Sequence, residues 1–557
     1  MKEIFHFLAM RPFLATGLVV LSFLVNLLGL ASSLYVMQVL NRYIGGGVDA
    51  TLITLTLGVI LAVIGELGLR RLRRNLAYGI TNQPMGQLAA GFFSTLLNVK
   101  LAELLRLPTA NQRELLNHFS TAQKTYIPAN VLAMLDVPFA LLFVGALLLI
   151  HPLLAVIASV FLGIVFLISL VHQRRIAVPT QSVGQLAARH STLSFSAVSA
   201  AESIRAFNWS AVMRQRWWEQ LVRLHRDQAN LSNRQENIQA LNHGLGTLMG
   251  VAIICTGAKL SITGQMDTGQ LIGANIIAGR AMAPLLKFAQ MVPQLAKAKH
   301  GLKMLEQFSR FPLEKQEGSN LQKFNGHVEL QGIGFAWPGT KGPIFDSLSV
   351  VAEPGKLLAV VGSNGTGKTT LLRLLAGVLE PQRGKIFVDG YNQSQILPEW
   401  WRRQLTYLPQ EPLFLDATLR DNLVTERLDI DDTTLNAIVD RTDLRRFVNE
   451  SEKGLDLMLT EGGQRLSPGI RRRIALTRAL VTNGSLVLLD EPLEGLDVEG
   501  RKIFLKLIQS LVNQGYTVIV ASHDASMAKV ADTIIDLNYK PIPKVTAGHS
   551  SSEVATI

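Results

Sequence analysis

Eight consecutive residues have the types and spacing needed to hold a chain of phosphates. They match the pattern Gly-x-x-x-x-Gly-Lys-[Ser/Thr] at every fixed position and read Gly362-Ser363-Asn364-Gly365-Thr366-Gly367-Lys368-Thr369. Glycines let backbone N–H groups turn inward around phosphate oxygens, the lysine adds a full positive charge, and the threonine hydroxyl can bind Mg²⁺. Together with the next residue, Thr370, this stretch predicts a site for a nucleoside triphosphate and its magnesium ion.

A second stretch supplies two adjacent carboxylates. Residues 485–489 are an apolar run that ends in Asp490 and Glu491. Asp490, at the end of a strand, can hold the Mg²⁺ shell, while Glu491, one residue further, can polarise the water that attacks the terminal phosphate. A buried strand with two solvated acids at its end is the structural alternative, and the phosphate-binding pattern argues against it. The two stretches together predict hydrolysis of the triphosphate.

The surrounding sequence supplies the elements that would position these residues. An apolar run of strand length, 357–361, precedes the glycines, and a helical pattern, 370–376, follows them. This is the strand–loop–helix context that the phosphate-binding pattern requires. From Val328 onward, short β-rich runs alternate with helical segments, which predicts an α/β domain built on a largely parallel sheet.

Composition places the first half of the chain in a membrane. Of 557 residues, 48% are hydrophobic, and the mean hydropathy is +0.26. Apolar runs of about 20 residues recur before residue 300, and each can cross a bilayer core of about 30 Å. The first run is too long, and is followed by too many others, to be a cleavable signal peptide. We predict an all-α domain with six spans at 14–37, 50–69, 130–150, 153–172, 244–263 and 268–294.

The charge distribution orients these spans. The net charge of +12 could indicate a nucleic-acid partner, but much of the basic excess flanks the apolar runs, so membrane lipid and no nucleic acid is the expectation. The loops after the second and fourth spans are rich in arginine and lysine, whereas the other connections hold only Arg42. By the positive-inside rule both basic loops, the N-terminus and everything after the sixth span are cytoplasmic.

Both basic loops contain few prolines and glycines, which predicts helical extensions of the spans into the cytoplasm. Glu66 near the end of the second span is predicted to pair with Arg70 one turn later. Arg280, in the sixth span, is expected to face the bundle interior or a water-filled path, or else to pair or snorkel near the cytoplasmic end. The single cysteine, Cys255, excludes an intrachain disulfide framework and a cysteine-rich metal site.

These observations divide the chain into four parts. The polar stretch before Val328 lacks apolar periodicity and contains Pro312, Gly318 and Gly326, which predicts a linker. The end of the chain contains Gly548-His549-Ser550-Ser551-Ser552, which predicts a disordered tail. The predicted bounds are 1–304 for the membrane domain, 305–327 for the linker, 328–540 for the nucleotide-binding domain and 541–557 for the tail.

The C-terminal part of the chain resembles the nucleotide-binding domain of ABC transporters. Besides the two stretches above, four residues match short motifs of that family in the family's order: Trp337, Gln410, Asp497 in Glu494-Gly495-Leu496-Asp497, and His523 in Ala521-Ser522-His523-Asp524. The resemblance implies that Trp337 stacks on adenine, that Gln410 senses Mg²⁺ and the water, that Asp497 belongs to the D-loop, and that His523 contacts the γ-phosphate. It therefore implies ATP and Mg²⁺ as cofactors, and Glu491, His523 and Gln410 as the catalytic set.

The signature motif departs from the family pattern. Where the family has Leu-Ser-Gly-Gly-Gln, this chain has Leu466-Ser467-Pro468-Gly469-Ile470. In the family this loop opens a helix that points at the ATP of the other subunit, so that two subunits enclose two ATPs. Ser467 and Gly469 retain most of the anion-binding groups, whereas Pro468 fits a first helical turn but removes one N–H donor. We expect the site to close with altered affinity or rate; a weak or inactive site is the alternative.

One membrane half and one nucleotide-binding half imply a dimer, most simply a homodimer, although a second, different half-transporter is an alternative. Three segments resemble the inner-membrane ATPase and permease of bacterial type I secretion systems: 136–143, 279–285 and 461–463. That resemblance implies export of a polypeptide across the bacterial inner membrane, with a periplasmic adaptor (membrane fusion protein) and an outer-membrane channel as partners. Because the chain starts almost at its first span, no substrate-processing domain is expected.

Alternating access driven by ATP is the implied mechanism. Segments around 102–119 and 202–221 are candidates for coupling the nucleotide-binding part to the spans. Trp217 and Trp218 could dock on the nucleotide-binding part, or have an interfacial or intersubunit packing role. Two other functions stay open: a lipid or drug ABC exporter, and an ATP-binding regulatory ABC membrane protein with weak turnover.

Overall fold

The structure is a computed structural model that describes residues 11–44, 49–107, 112, 115, 119–121, 123–337, 339–340, 342–425, 429–496 and 498–548. The chain folds as two compact units. The helical unit comprises 1–97 and 107–311, and the α/β unit comprises 98–106 and 312–557.

Long helices build the first unit. In chain order the helices are α1 (Pro12–Gln38, continued by a π-helical turn, Val39–Tyr43), α2 (Asp49–Asn98), α3 (Leu101–Arg106), α4 (Pro128–Asp136), α5 (Ala140–Ile150), α6 (Pro152–Ser199), α7 (Ala201–Ala206), α8 (Ser210–Ile262) and α9 (Thr268–Ser309). Six helical stretches among the described residues are long and apolar enough to cross a membrane, which confirms the six predicted spans. Helices α2, α6 and α8 have 50, 48 and 53 residues. At about 1.5 Å per residue each is roughly two and a half times as long as the bilayer core is thick, so the predicted helical extensions are confirmed.

The outer surface of this unit is apolar where it would meet lipid. Leu141 and Leu149, for example, belong to the apolar helix α5, and their side chains are exposed. Two buried clusters hold the helices together, and small residues bring some backbones close. At Gly269 a Cβ atom would lie 2.5 Å from the carbonyl oxygen of Met37, so α9 packs directly on the C-terminal end of α1.

Polar contacts within this unit include one predicted ion pair and one that was not predicted. Nε of Arg70 donates to Glu66 at 2.7 Å, which confirms the predicted pair. Nη2 of Arg280 donates to Oγ of Ser32 at 2.7 Å, so its side chain is directed at α1. The pair between Arg73 and Asp136, 2.6 Å apart and largely buried, was not predicted, because the two residues are 63 positions apart in sequence.

The second candidate coupling segment belongs to the helical unit. Nε1 of Trp217 donates to Oγ of Ser194 at 3.0 Å, and its ring centroid lies 5.0 Å from that of His190. Packing between α6 and α8 is therefore the contact made by Trp217, whereas Trp218 is exposed. In the first candidate segment, 108–111, 113–114 and 116–118 lie outside the described residues.

The described residues of the α/β unit form three sheets. Its strands are β1 (Val328–Phe335), β2 (Phe345–Ala352), β3 (Leu357–Val361), β4 (Arg383–Val388), β5 (Tyr391–Asn392), β6 (Leu405–Leu408), β7 (Ala417–Thr418), β8 (Met458–Leu459), β9 (Leu486–Asp490), β10 (Thr517–Ser522), β11 (Thr533–Asp536) and β12 (Lys544–Ala547). The six-stranded sheet has the order β12-β11-β3-β10-β9-β6 and is parallel except for β12. This sheet agrees with the predicted parallel arrangement. The sheet β2-β1-β4-β5 is antiparallel and was not predicted.

Helices cover the large sheet and connect its strands. They are α10 (Lys368–Leu375), α11 (Pro398–Arg403), α12 (Leu419–Leu423), α13 (Asp432–Arg441), α14 (Arg445–Glu450), α15 (Pro468–Thr482), α16 (Val498–Asn513) and α17 (Ala525–Val530). Buried apolar residues pack on both faces of the sheet, as expected for parallel strands between helices. The carboxyl ends of β3, β9 and β10 meet at one edge, where ligands bind in sheets of this kind.

The structure corrects three of the predicted bounds. Helix α9 continues to Ser309, so the first residues of the predicted linker are helical. The predicted tail is wrong for β12, because β11 offers a free edge to which 544–547 hydrogen-bond in antiparallel register. Residues 98–106 join the α/β unit: the amide of Glu314 donates to the carbonyl of Asn98 at 2.7 Å, and Lys100 pairs with Glu380 at 2.7 Å.

Candidate nucleotide site

The phosphate-binding loop lies between β3 and α10, as predicted. Gly362 and Gly367 have φ values of 155° and 108°, which side chains disfavour. Space excludes side chains as well, because a Cβ atom at Gly362 would lie 2.6 Å from Oγ1 of Thr366. These two glycines are therefore required by the loop, which turns its backbone toward the start of α10.

Lys368 begins α10 and is buried against the loop. Its Nζ donates to the carbonyl of Gly362 at 2.6 Å and to that of Ser363 at 3.3 Å. The same ammonium lies 3.2 Å from Oε1 of Glu491. The Lys368 ammonium thus contacts both the loop and Glu491 of the second predicted stretch. Ser363 is also held by Asn538, whose Oδ1 accepts from its amide and its hydroxyl, each at 3.0 Å.

Asp490 ends β9, in the interior of the six-stranded sheet. Its side chain is 0% exposed, and neither carboxylate oxygen has a hydrogen-bond partner among the described residues. Burial raises the pKa of Asp490, and so does the neighbouring charge of Glu491, whereas the Thr369 hydroxyl and the charges of Arg373 and Lys368 lower it. A buried carboxylate with unsatisfied oxygens fits a cation, since such a group costs several kcal/mol unless it is compensated. The residues present therefore fit a bound Mg²⁺.

Thr369 and Gln410 complete this donor set. Oγ1 of Thr369 donates to Oε1 of Gln410 at 3.4 Å, and Gln410 follows the end of β6, the strand beside β9. Hydroxyl, carboxylate and amide oxygens are the hard ligands that Mg²⁺ prefers. The structure thus brings two of the predicted metal ligands into contact, with Asp490 on the adjoining strand.

Unlike Asp490, Glu491 has hydrogen-bond partners for its carboxylate. Oε2 lies 2.8 Å from Nδ1 of His523 and accepts from the His523 amide at 3.2 Å and from Oγ of Ser522 at 3.4 Å. Its side chain is almost fully buried, and its φ of 46° places a non-glycine residue in the left-handed region. The end of β10 therefore holds the predicted general base and the predicted switch histidine as one group.

Trp337 joins the site through α10. Its Nε1 donates to Oγ1 of Thr370 at 3.2 Å, and its ring packs edge-to-face on Phe335 with centroids 5.3 Å apart. The indole is half-buried, so one part of the ring remains available for stacking. The structure therefore places this aromatic ring next to the helix that follows the loop.

The signature residues form a separate part of the site. Helix α15 begins at Pro468, and the Ser467 hydroxyl caps it by accepting from the Ile470 amide at 3.3 Å. Pro468 occupies the first helical position, as predicted, where a proline loses no helical hydrogen bond. The hydrogen bonds that gather Lys368, Glu491 and His523 do not include Ser467 or Gly469. Asp497 lies outside the described residues.

Sequence reasoning missed two residues that the structure brings to the site. One is Asn538, which holds Ser363, and the other is Arg472, whose guanidinium donates to backbone carbonyls at and beyond the end of β9. Arg472 lies in a run of three arginines that suggests a solvated face. Its spacing of four from Leu476, which is buried, is the signal that could have placed it on the inner face of α15.

Two family profiles match the chain. The family described as ABC transporter transmembrane region matches residues 16–284, and the family described as ABC transporter matches residues 345–494. The first match falls on the helical unit, and the second contains the phosphate-binding loop, the signature helix and both carboxylates.

Similar proteins include three named for translocation. The alpha-hemolysin translocation ATP-binding protein HlyB of Escherichia coli O157:H7 is 31% identical over 280 residues, which is 50% of this chain and 40% of that protein. The exotoxin translocation ATP-binding protein PaxB of Pasteurella aerogenes is 26% identical over 532 residues, with 93% of this chain and 73% of that protein covered. The leukotoxin translocation ATP-binding protein LktB of Mannheimia haemolytica is 26% identical over 531 residues, with the same coverage.

A solved structure of a bacterial Atm1-family ABC exporter with ATP bound has the same fold. It superposes with a TM-score of 0.80 and covers 95% of this chain and 94% of that one, at 17% identity. At that identity the likeness concerns the fold alone. It confirms the predicted fold class, a six-helix transmembrane domain followed by an α/β ATPase domain.

Proposed function

The chain belongs to the ABC transporters and joins a transmembrane domain to an ATP-binding domain, and we propose that it is the energising permease of a bacterial type I secretion system. The observation that supports this function is similarity over 93% of the chain to proteins named for toxin translocation. The substrate is then a polypeptide, and the partners are a periplasmic adaptor and an outer-membrane channel.

ATP hydrolysis coupled to transport is the activity of this family, and the site geometry supports a role for each residue. The loop amides and Lys368 bind the phosphates, and Trp337 stacks on adenine. Thr369, Asp490 and Gln410 would hold Mg²⁺, which when bound neutralises charge on the phosphate oxygens.

The proton of the attacking water passes to Glu491. Its Oε2 lies 2.8 Å from Nδ1 of His523, and Oε1 lies 3.2 Å from the Lys368 ammonium. These contacts fix the orientation of the carboxylate, so that Oε1 and Oε2 can polarise a water beside the terminal phosphate. His523 lies on the exposed side of the pair and contacts the γ-phosphate.

The dimer follows from the position of the signature. Ser467 caps α15 with its hydroxyl, and Gly469 lies in the first turn, so this helix start can bind an anion. Among the described residues, hydrogen bonds tie neither of these two to the phosphate-binding loop of the same chain. We propose that Ser467, Gly469 and, from its motif, Asp497 act on ATP held by a second copy. A homodimer of this chain therefore encloses two ATPs.

The membrane domain lies in the bacterial inner membrane with the nucleotide-binding domain in the cytoplasm. The arginine-rich segments beyond the spans support this orientation. Alternating access then moves the polypeptide, with ATP binding closing the two nucleotide-binding domains and hydrolysis reopening them.

Secretion by living cells tests this function. Deleting the gene and restoring it as wild type or as Glu491→Gln should give culture media that differ in at least one secreted polypeptide, detected by mass spectrometry. Wild type restores that polypeptide, and Glu491→Gln does not, although both proteins reach the membrane in equal amounts. An unchanged set of secreted polypeptides, together with altered lipid or drug export, would instead identify a lipid or drug exporter.

A further inference from the structure

Arg472 is buried in the second turn of α15 and bonds to the segment that carries the catalytic carboxylate. Its side chain is only 7% exposed. Nη1 donates to the carbonyl of Glu494 at 3.0 Å, while Nη2 donates to the carbonyl of Asp490 at 3.1 Å and to that of Glu491. The planar, multi-donor guanidinium suits such a set of acceptors.

These acceptors fix the backbone of Glu491 from both sides. The carbonyl of Asp490 belongs to the peptide group before the Glu491 Cα atom, and the carbonyl of Glu491 belongs to the one after it. Glu491 has a φ of 46°, a conformation that persists in a non-glycine residue only where its surroundings impose it. Arg472 therefore hydrogen-bonds to both of the peptide groups that flank the Glu491 Cα atom.

The start of α15 touches the same segment. A Cβ atom at Gly469 would lie 3.6 Å from the carbonyl oxygen of Gly495, and one at Gly495 would lie 3.9 Å from Cβ of Pro468. The first turn of α15 therefore packs on 494–496, and Arg472, one turn further, bonds to 490–494. Helix α15 and residues 490–496 therefore pack against each other within the α/β unit.

We infer that Arg472 is a positioning residue for hydrolysis, which holds the Glu491 backbone in its left-handed conformation and ties it to the signature helix. In the proposed dimer, α15 faces the ATP of the second copy while Glu491 acts on the ATP of its own chain, so Arg472 joins the two sites. That last step rests on the proposed function, whereas the positioning of Glu491 rests on ATP hydrolysis alone.

Replacement of Arg472 in the full-length protein in lipid nanodiscs tests the inference. Arg472→Met removes every donor at similar length, and we expect kcat to fall about 10-fold or more while the Kd for a fluorescent ATP analogue changes less than about 3-fold. Arg472→Lys should regain part of kcat, because an ammonium still donates to these carbonyls. The matched control is Arg473→Met, the next residue, which pairs with Asp443 at 2.9 Å and should retain kcat within about 2-fold.

A double mutant separates positioning from any other role. If Arg472 acts through Glu491, adding Arg472→Met to Glu491→Gln lowers the residual rate by less than about 2-fold. A further loss as large as in the wild-type background would overturn the inference. So would an Arg472→Met variant with normal kcat, or one that loses ATP binding and turnover in parallel.

Amide hydrogen exchange gives a readout that needs neither turnover nor a polypeptide substrate. The Glu491 amide donates to the carbonyl of Ala521 at 2.8 Å, and the Glu494 amide donates to that of Glu491 at 3.2 Å. Arg472→Met should speed exchange in peptides covering 490–496 and leave 362–376 unchanged. Equal exchange in both proteins would overturn the inference, and a failure of polypeptide export would leave this result unaffected.

Discussion

At the scale of residues, Asp490 and Glu491 are adjacent carboxylates with opposite surroundings. The oxygens of Asp490 have no hydrogen-bond partner among the described residues, whereas Glu491 contacts Lys368, Ser522 and His523. The Asp490 carboxylate is therefore available to a cation, whereas the orientation of the Glu491 carboxylate is fixed by its partners. Both side chains are buried, so their different partners explain how two residues of the same charge, one peptide bond apart, can have different roles.

The raised pKa of Asp490 gives a stability prediction. Because the folded state binds this proton more tightly than the unfolded state, Asp490 stabilises the fold at low pH, and that stability is lost as pH rises through the raised pKa. At neutral pH without metal, Asp490→Asn should raise Tm by about 2–4 °C, the shift that roughly 1 kcal/mol produces in a domain of this size. The same variant should lose the rise in Tm that Mg²⁺ and ATP give the wild type.

Asp431→Asn is the matched control for that prediction. Asp431 caps α13, and hydrogen bonds from Thr433 and Thr434 lower its pKa to about 2. Its contribution is therefore present above its ordinary pKa and is lost as pH falls toward about 2, the opposite sign to Asp490. Asp431→Asn should not raise Tm at neutral pH and should keep the Mg²⁺ effect. A Tm of Asp490→Asn below that of the wild type would contradict the assignment.

Pro468 gives a prediction in which activity and stability change in opposite directions. Pro468→Gly adds an N–H donor to the first turn of α15, so the apparent KM for ATP should fall by about 2-fold or more. Loss of the fixed proline backbone should lower stability by about 0.4–1 kcal/mol. Steady-state ATPase assays and thermal melting measure the two effects on the same sample. An unchanged KM would mean that the missing donor does not limit ATP binding.

The sequence was sufficient for residues whose type and spacing are dictated by chemistry. The loop 362–369, Asp490, Glu491 and His523 all fall where the motifs predict, and the structure gathers Lys368, Glu491 and His523 within hydrogen-bonding distance. Arg472 and Asn538 could not be predicted in the same way. Their partners are 18 to 22 and 175 positions away, so only the fold brings them to the site.

At the scale of elements, apolar length and strand pattern predicted most of the architecture. The six spans and the parallel strands around the loop follow from runs that must be buried or lie in lipid. Strand β12 and the position of residues 98–106 could not be predicted from these patterns, because both depend on hydrogen bonds to other elements. Backbone hydrogen bonding to β11 orders 544–547, and bonds to 312–314 hold 98–100, although neither segment is strongly apolar.

Close packing between α1 and α9 gives a prediction at this scale. Gly269→Ala places a methyl group against the carbonyl of Met37, and the resulting overpacking should cost about 1–3 kcal/mol. The matched control is Gly244→Ala in α8, where no atom of the described residues lies within 4 Å of the added carbon. Since alanine is the better helix former, that variant should gain about 0.5–1 kcal/mol. Melting in nanodiscs measures both, and equal shifts would contradict the close contact.

At the scale of the whole molecule, the proposed function gives one chain two kinds of nucleotide-binding surface. One is the loop with its carboxylates, and the other is the start of α15, where Ser467 and Gly469 lie in the first turn. The resemblance to the family predicted this division from the sequence, because both motifs are present in order. The cargo could not be predicted from the sequence, since an apolar surface suited to lipid does not specify what passes between the helices.

Complementation between two inactive chains tests whether the two surfaces meet across a dimer. Lys368→Met disables the loop, and Ser467→Arg blocks the start of α15 with a bulky cation, so each homodimer should hydrolyse almost no ATP. In an equal mixture about half of the dimers contain both variants, and each of these has one intact site, so about a quarter of wild-type turnover should return. Pull-down with two different tags confirms that mixed dimers form.

If mixed dimers form and no turnover returns, then either each chain uses its own signature helix or hydrolysis requires both sites at once. Mixed dimers of Lys368→Met with wild type separate these outcomes, because they keep one composite site whichever chain supplies the signature.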